Sequence, residues 1–556
     1  MTKKNLFVGL LAVACLAACH RPTEGDGKAI FRYNESAGIS TLDPAFAKDQ
    51  ALIWGTSQLF NGLVRLDTTL RPVPCIAKRW TISPDGLTYT FTLRDDVRFH
   101  KSPLFGTPDS TRRVVAADFL YSLRRILDPD VASPGLWIFA QVADDGFAAP
   151  DDTTFVIRLR EPFPPLLSLL SMPYCFVVPR EVVEHNGTDF RNHPIGTGPF
   201  QLQYWKEGVK LVLRKNPLYF EFDTIYEPSH VIMASDSTIH NSQFKTQRLP
   251  YLDAVAITFI IDKQTAFLEF VKGNLDFMNS LDASYKDELL TRTGQLRQKY
   301  ADRIDLTSLP FLNTEYLGFL MEGSDTLPLA VRQAINYGFD RAKMMKYLRN
   351  NIGQPATGGM IPAGLPGFDT TARYGYNYNP QLARQLLAKA GFPDGQGLPP
   401  ISLSTTASYL DLCKFIQQQL SLIGLDIKLD VNPPAALREQ IAQGKSQWFR
   451  GSWIADYPDP ENYMTLFFSP NKAPAGPNYT HFHSTTADRL YRQAMAETNP
   501  DRRTAIYRQM DSIAMRQAPV VVLYYDQILH FTRKWVSGLQ SNAMNALDLR
   551  RVRIEK

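Results

Sequence analysis

Residues 447–462 read Gln-Trp-Phe-Arg-Gly-Ser-Trp-Ile-Ala-Asp-Tyr-Pro-Asp-Pro-Glu-Asn. The stretch begins as an apolar, strand-like run and ends in a loop broken by Pro458 and Pro460, with Arg450, Trp453 and Asp456 set at steps of three. Large aromatic rings suit a desolvated pocket, whereas a carboxylate inside one is costly unless a cation comes to meet it. A ligand carrying an ammonium group would satisfy both demands. The same residues also fit a plainer arrangement, with Trp453 in a core and Asp456 capping the turn before Pro458.

Around this stretch, from Leu306 onward, the pattern is one of long helices between strands. Leu329–Tyr347, Pro380–Ala390 and Ala487–Gln517 read as largely helical, and Leu412, Ile416, Leu420 and Ile423 line one face of another helix that ends at Gly424. Leu425–Val431 and Gln447–Ile454 read as strands flanking a helix near Ala435–Gln443, and Pro519–Tyr525 reads as a buried strand. Strands alternating with helices of this length indicate α/β layers. Upstream the chain is more mixed. Tyr89, Phe91 and Leu93 alternate after a Pro84-Asp85-Gly86 turn, Leu120, Leu123 and Leu127 mark a helix over Ala116–Leu127, and Thr154–Leu159 alternates again, which together make a small α+β unit. A strand carrying Val209, Leu211 and Leu213 follows Pro194-Ile195-Gly196-Thr197-Gly198-Pro199-Phe200, whose glycines suggest backbone that turns tightly. No internal repeat is found.

At 556 residues the chain is too long for one core, so two or three domains are expected. Lys3 and Lys4, an apolar run over Leu6–Ala14, and Leu16-Ala17-Ala18-Cys19 form an export signal resembling the bacterial lipobox. Residues 1–18 are then a signal peptide, Cys19 is lipidated, and residues 19–27 are a polar tether. Removal of the signal takes the formal charge from +5 to +3 through the loss of Lys3 and Lys4, and no dense basic run remains, so nucleic acid is not an expected partner. Cys75, Cys175 and Cys413 are too few for a disulfide framework.

The order of motifs resembles the family 5 solute-binding proteins of ABC importers, the dipeptide/oligopeptide-binding group. It is carried by Leu42-Asp43-Pro44, Phe60-Asn61-Gly62-Leu63-Val64, Ser83-Pro84-Asp85-Gly86, Phe99-His100, Ala117-Asp118-Phe119, Gly196-Thr197-Gly198-Pro199-Phe200 with Asn216-Pro217, Val331-Arg332-Gln333-Ala334 and Trp453–Pro460. The resemblance implies an α/β, periplasmic-binding-protein-like fold of class II and cluster C: two lobes joined by a hinge, plus an inserted α+β domain. Mapped onto this chain, lobe I takes residues 28–60, 191–308 and 526–556, the inserted domain 61–190, and lobe II 309–525. It implies a monomer, lipid-anchored outside the cytoplasm, that encloses a peptide or similar amine-bearing solute and delivers it to an ABC permease. It places Asp456 against the ligand's ammonium, Trp453 as a wall beside it, Arg450 where a guanidinium receives a ligand carboxylate, and Lys48 and Gln50 in the cleft lining from lobe I. Departures from the family pattern fall at Gly135, where an aromatic can stand, at Pro434, where a tryptophan can stand, and in the long basic loop Lys101–Arg113.

Hydrolase signals are missing from the sequence: there is no Gly-x-Ser-x-Gly, no His-Glu-x-x-His and no Walker loop. His481 and His483 flank Phe482 without a third metal ligand at useful spacing. No catalytic residue, metal or cofactor is therefore expected. Oligosaccharides, nickel chelates and opine-like ligands remain open within the family, as does a lipoprotein serving a sensor. The pair Asp456 and Arg450 favours peptide, since a neutral sugar offers two opposite charges no ionic partner.

Overall fold

The computed structural model describes residues 27–227, 243–280, 285–324, 326–369 and 375–556. The export signal and Cys19 lie outside the described residues.

Among these residues an eleven-stranded sheet runs through both lobes. Its order is Ile427–Val431, Ile401–Thr405, Trp448–Ile454, Ile304–Phe319, Val520–Arg533, Phe277–Asn279, Ile30–Asn34, Ala254–Thr258, Lys210–Lys215 and Phe200–Lys206, with Gln354–Pro355 paired beside Val520–Arg533. Ile304–Phe319 and Val520–Arg533 run antiparallel for almost their whole length and so join the two lobes. Their register breaks between Pro310 and Thr314. Below the break Ile304–Phe319 belongs with lobe I; above it the strand pairs with Trp448–Ile454. The lobe boundaries expected at 308/309 and 525/526 fall within these two strands, beside the break.

The core on each side follows from strand periodicity. In lobe II, Leu317, Phe319, Trp448 and Leu523 pack on one face with Val331 and Ile416, while Tyr316, Phe449 and Val522 pack on the other with Tyr463 and Tyr507. A sheet covered on both faces needs apolar residues at consecutive positions, which is why Trp448-Phe449 and Val520-Val521-Val522 read as unbroken runs. Lobe I is built on Phe31, Tyr33, Trp54, Phe60, Leu211 and Val255. The inserted domain is a four-stranded sheet, Ala77–Ile82, Thr88–Leu93, Thr154–Leu159 and Val142–Asp151, against which the helix Ala116–Leu127 packs.

Several local expectations are corrected. The buried stripe of Ala116–Leu127 is Phe119, Leu123 and Ile126, whereas Leu127 is exposed, because aromatic Phe119 claims the face toward Phe91 and Phe155. The helix expected over Leu329–Tyr347 is two, Leu329–Tyr337 and Arg341–Leu348, with the Asp340 carboxylate accepting the Lys343 N–H to begin the second. Ala487–Gln517 is likewise two helices, Thr485–Ala496 and Pro500–Gln517, since Pro500 cannot sit inside a helix and instead starts one under an Asn499 cap. Val209 is exposed in a turn just before the strand Lys210–Lys215. Gly196 and Gly198 do not take left-handed backbone. They are required by close approach, since a Cβ on either would lie within about 2.4 Å of the Leu59 backbone.

Candidate functional site

The motif Leu42-Asp43-Pro44 leads into the loop that carries Lys48 and ends at Gln50. The Asp43 carboxylate accepts the Ala45 N–H at 3.0 Å and receives both ends of the Arg125 guanidinium, at 2.9 and 2.6 Å, which ties lobe I to the inserted-domain helix. Two turns later Asp49 caps the helix Gln50–Leu59 by accepting from Leu52 N. Gln50 Nε2 and Trp54 Nε1 both donate to the carbonyl of Asn545, at 3.3 and 2.8 Å, and the Asn545 side chain meets His530 at 3.0 Å. Asn545 holds a left-handed backbone, φ 56°, which asparagine tolerates better than most residues.

On the opposite side the strand Trp448–Ile454 ends and the chain turns through Ala455–Pro460. Ala455 N donates to Leu312 O at 2.8 Å, and the Asn462 side-chain oxygen accepts from Trp453 Nε1 at 2.9 Å and from the Asp456 N–H at 3.4 Å. The acids that follow are committed elsewhere: Asp459 pairs with Arg503 at 2.8 Å, and Glu461 accepts from the Tyr457 and Tyr491 hydroxyls. Asp456 alone of the three keeps its carboxylate exposed, with no cation in ion-pair range among the described residues.

Between these two sides lies a cavity of about 700 Å³, a volume suited to a small ligand. Lys48 and Gln50 line it from lobe I, Asp456, Tyr457 and Ile454 from lobe II, and Trp137 and Tyr174 from the inserted domain. Asp456 is open to the cavity, yet the protein walls around it withhold water, and this burial raises its pKa above the ordinary carboxylate value against the opposing effect of Asn462. The Tyr174 hydroxyl is pushed up to about 12, by burial first and then by the Asp456 charge, which puts the two groups in electrostatic contact across the boundary between domains.

Thus three of the five ligand residues expected from the sequence, Asp456, Lys48 and Gln50, meet at one cavity. Trp453 and Arg450 do not line it. The physical reason is the strand: at steps of three on a period-two element, Arg450 and Trp453 face opposite sides of the sheet, opposite Leu317 and Thr314 respectively. Trp453 packs behind Asp456 in the lobe II core, held by Asn462. The Arg450 guanidinium is ion-paired with buried Glu315 and lies 3.3 Å over the Tyr409 ring. Burial pushes Glu315 up and Arg450 opposes it, so each charge is answered inside the protein.

Trp137 was not anticipated. A Cβ on Gly135 would sit 2.5 Å from the Tyr174 ring, so glycine there lets Tyr174 close the wall, while Trp137, two residues on, supplies the exposed aromatic, 6.2 Å from the Tyr457 ring. Pro434 opens the helix Pro434–Ala442 and does not line the cavity. Cys75, Cys175 and Cys413 are buried and unpaired. His481 meets Glu322 and His483 meets Ser469, on either side of buried Phe482, and no group of three or more His, Cys, Asp or Glu among the described residues is placed to hold a metal. No helix among the described residues is long and apolar enough to cross a membrane.

Comparison with known proteins agrees with this architecture. The family model for bacterial extracellular solute-binding proteins, family 5 Middle, matches residues 71–475, well over half of the chain. The dipeptide-binding protein DppE of Bacillus subtilis is 26% identical over 559 residues, covering 96% of this chain and 93% of that protein. Among solved structures, HbpA2 from Haemophilus parasuis superposes with a TM-score of 0.79 at 21% identity, over 95% of this chain and 99% of that one. The periplasmic binding protein DppA from Helicobacter pylori, in complex with peptide STSA, superposes with a TM-score of 0.72 at 24% identity, over 95% and 98%.

Proposed function

Since the chain belongs to the bacterial extracellular solute-binding proteins of family 5, we propose that it captures peptides or similar amine-bearing solutes between its lobes and delivers them to an ABC import permease. The observation that carries the ligand class is Asp456: an ionisable carboxylate, open to a partly desolvated cavity and without a cation in ion-pair range among the described residues. A ligand ammonium answers that charge, and in a closed cleft such a charge-assisted hydrogen bond is of the strong kind. Trp137, Tyr174 and Tyr457 offer apolar surface to the side chain beside it. Lipidation of Cys19 holds the monomer at the membrane outside the cytoplasm, and neither a catalytic step nor a cofactor enters.

Titration of the purified protein with short peptides tests this. Free-amine peptides bind, N-acetylated counterparts bind at least about tenfold more weakly, and Asp456→Asn removes the difference. Equal affinity for free and acetylated peptides would defeat the ammonium contact. Release of Cys19→Ser into the soluble fraction reports the anchor.

A further inference from the structure

Asn545 lines the cavity from the segment that follows the joining strand Val520–Arg533, and it is only 7% exposed. Its backbone is fully committed. Gln50 Nε2 and Trp54 Nε1 share its carbonyl, its N–H donates to Asn542 O at 2.9 Å, and Gln58, one turn beyond Trp54, donates to Leu547 O at 3.0 Å. Residues 50, 54 and 58 lie on one stripe of the helix Gln50–Leu59, so this part of the wall is hung from a rigid element. The Asn545 side chain is only half committed: its oxygen lies 3.0 Å from His530 Nε2, while its amide N–H2 has no hydrogen-bond partner among the described residues. His530 is buried and does not line the cavity, so the edge of the amide that it leaves free is the one the cavity reaches. Burial also lowers the pKa of His530 against the effect of Asn545, so the ring is neutral and donates from Nε2 to the amide oxygen. Gln50, Gln58 and Asn542 behave differently, turning their side-chain N–H groups to the carbonyls of Asn545, Leu547 and Asp67.

We propose that Asn545 is a specificity-determining residue whose side-chain N–H2 donates to a carbonyl oxygen of the ligand backbone, and that His530 is the positioning residue that turns this edge toward the cavity. This rests on the reading of a peptide in the cavity, and it is independent of the ammonium contact. Filling the cavity expels water from Asn545, and a buried donor left without an acceptor then opposes binding. A backbone carbonyl is the neutral acceptor that every peptide carries, whatever its side chains. Recognition through it favours peptides as a class while leaving their sequence open.

Calorimetric titration of the purified protein with the tripeptide Ala-Phe-Ala and its two thioamide analogues, each with one backbone C=O replaced by C=S, tests this. Sulfur accepts a hydrogen bond more weakly than oxygen, while the charges of the peptide and the fold of the protein stay as they are. The wild type is expected to bind one of the two thioamides at least about fivefold more weakly than the parent peptide. Asn545→Gly keeps the left-handed backbone; it binds the parent about fivefold more weakly than the wild type does and no longer distinguishes the three peptides. His530→Leu also loses the discrimination, and His530→Gln, which again offers an N–H to the Asn545 oxygen, retains it. A merely structural role for His530 would lower affinity without moving the ratio between parent and thioamide. Equal binding of all three peptides by the wild type, or a thioamide penalty that persists in Asn545→Gly, overturns the proposal. N-acetylation of the parent peptide judges Asp456 separately, and binding of no peptide by the wild type sinks both readings.

Discussion

Asp511 gives the sharpest test of how lobe II is held. It is buried in the helix Pro500–Gln517, its side chain accepts the Met360 N–H at 2.9 Å, and it packs so closely on Gly359 that a Cβ there would fall 1.8 Å from its carboxylate. No cation pairs with it among the described residues, and burial pushes its pKa from the ordinary carboxylate range up to about 7. Because the folded-state value lies above the unfolded one, the folded protein binds the extra proton between them. The stabilising contribution is complete below the unfolded value and is lost as pH rises toward the folded one. The rise corresponds to about 4 kcal/mol, lost between roughly pH 4 and 7. Asp511→Asn keeps the acceptor for Met360 and carries no ionisable group, so its stability should not fall across that window. Urea unfolding of ligand-free wild type and variant, followed through the lobe II transition from pH 4 to 8, checks this. Comparing the two proteins cancels other titrating groups distant from residue 511. The two curves should approach each other near pH 4 and diverge by several kcal/mol, with the variant the more stable, near pH 8. Parallel curves over the whole range would refute the reasoning.

Four further outcomes follow from the same geometry. His100 is buried, accepts the Gly196 N–H at 3.2 Å and faces Gly198 O at 3.1 Å, and burial lowers its pKa to about 4, so its contribution is present above pH 6.5 and lost on acidification. His100→Gln should flatten the acid limb of unfolding by about 3 kcal/mol, and an unchanged limb would contradict this. Arg450→Met leaves Glu315 buried without its cation and should cost about 3–5 kcal/mol in denaturant unfolding, most of it recovered by adding Glu315→Gln; peptide affinity of the double variant should stay near wild type, and its loss would place Arg450 in the site. Gly135→Ala displaces the Tyr174 ring, costs about 1–3 kcal/mol and weakens ligand binding, both readable by thermal shift with and without peptide. Ligand affinity should fall on acidification through the raised pKa of Asp456, at a pH above the ordinary carboxylate range, and this loss should vanish in Asp456→Asn.

Much of the fold was legible because its signals are local. Period-two alternation in Thr88–Leu93 and Thr154–Leu159 needs only neighbouring residues, and both strands form. Failures came where a distant partner decides. Nothing near Phe119 indicates that it, rather than Leu127, turns fully to the core, because the choice is made by Phe91 and Phe155. The roles of Gly196 and Gly198 depend on Leu59, more than a hundred residues earlier. At the site, Arg450, Trp453 and Asp456 looked like one constellation because their spacing is regular. Strand periodicity was itself enough to separate Arg450 from Trp453, and that signal was available. Trp137 carries no local signal of its place in the cavity wall, because Gly135, two residues earlier, makes room for Tyr174 only through a contact distant in sequence.

The placement of charge also bears on how a ligand brings the lobes together. The joining strands exchange apolar packing for polar groups at their register break: Asn313 donates to Glu315 at 3.1 Å and to Asp526 at 3.3 Å, and Arg349 pairs with Asp526 at 2.9 Å. Hydrogen bonds of this kind tolerate small rearrangements, whereas the interlocked cores on either side are close-packed and move as units. A ligand shifts the balance between open and closed lobes only by what it contributes to one state over the other. A ligand gripped from one lobe alone contributes the same to both states. On the reading proposed above, a ligand ammonium on Asp456 favours closure only to the extent that the rest of the ligand also meets the lobe I wall that Lys48 and Gln50 line.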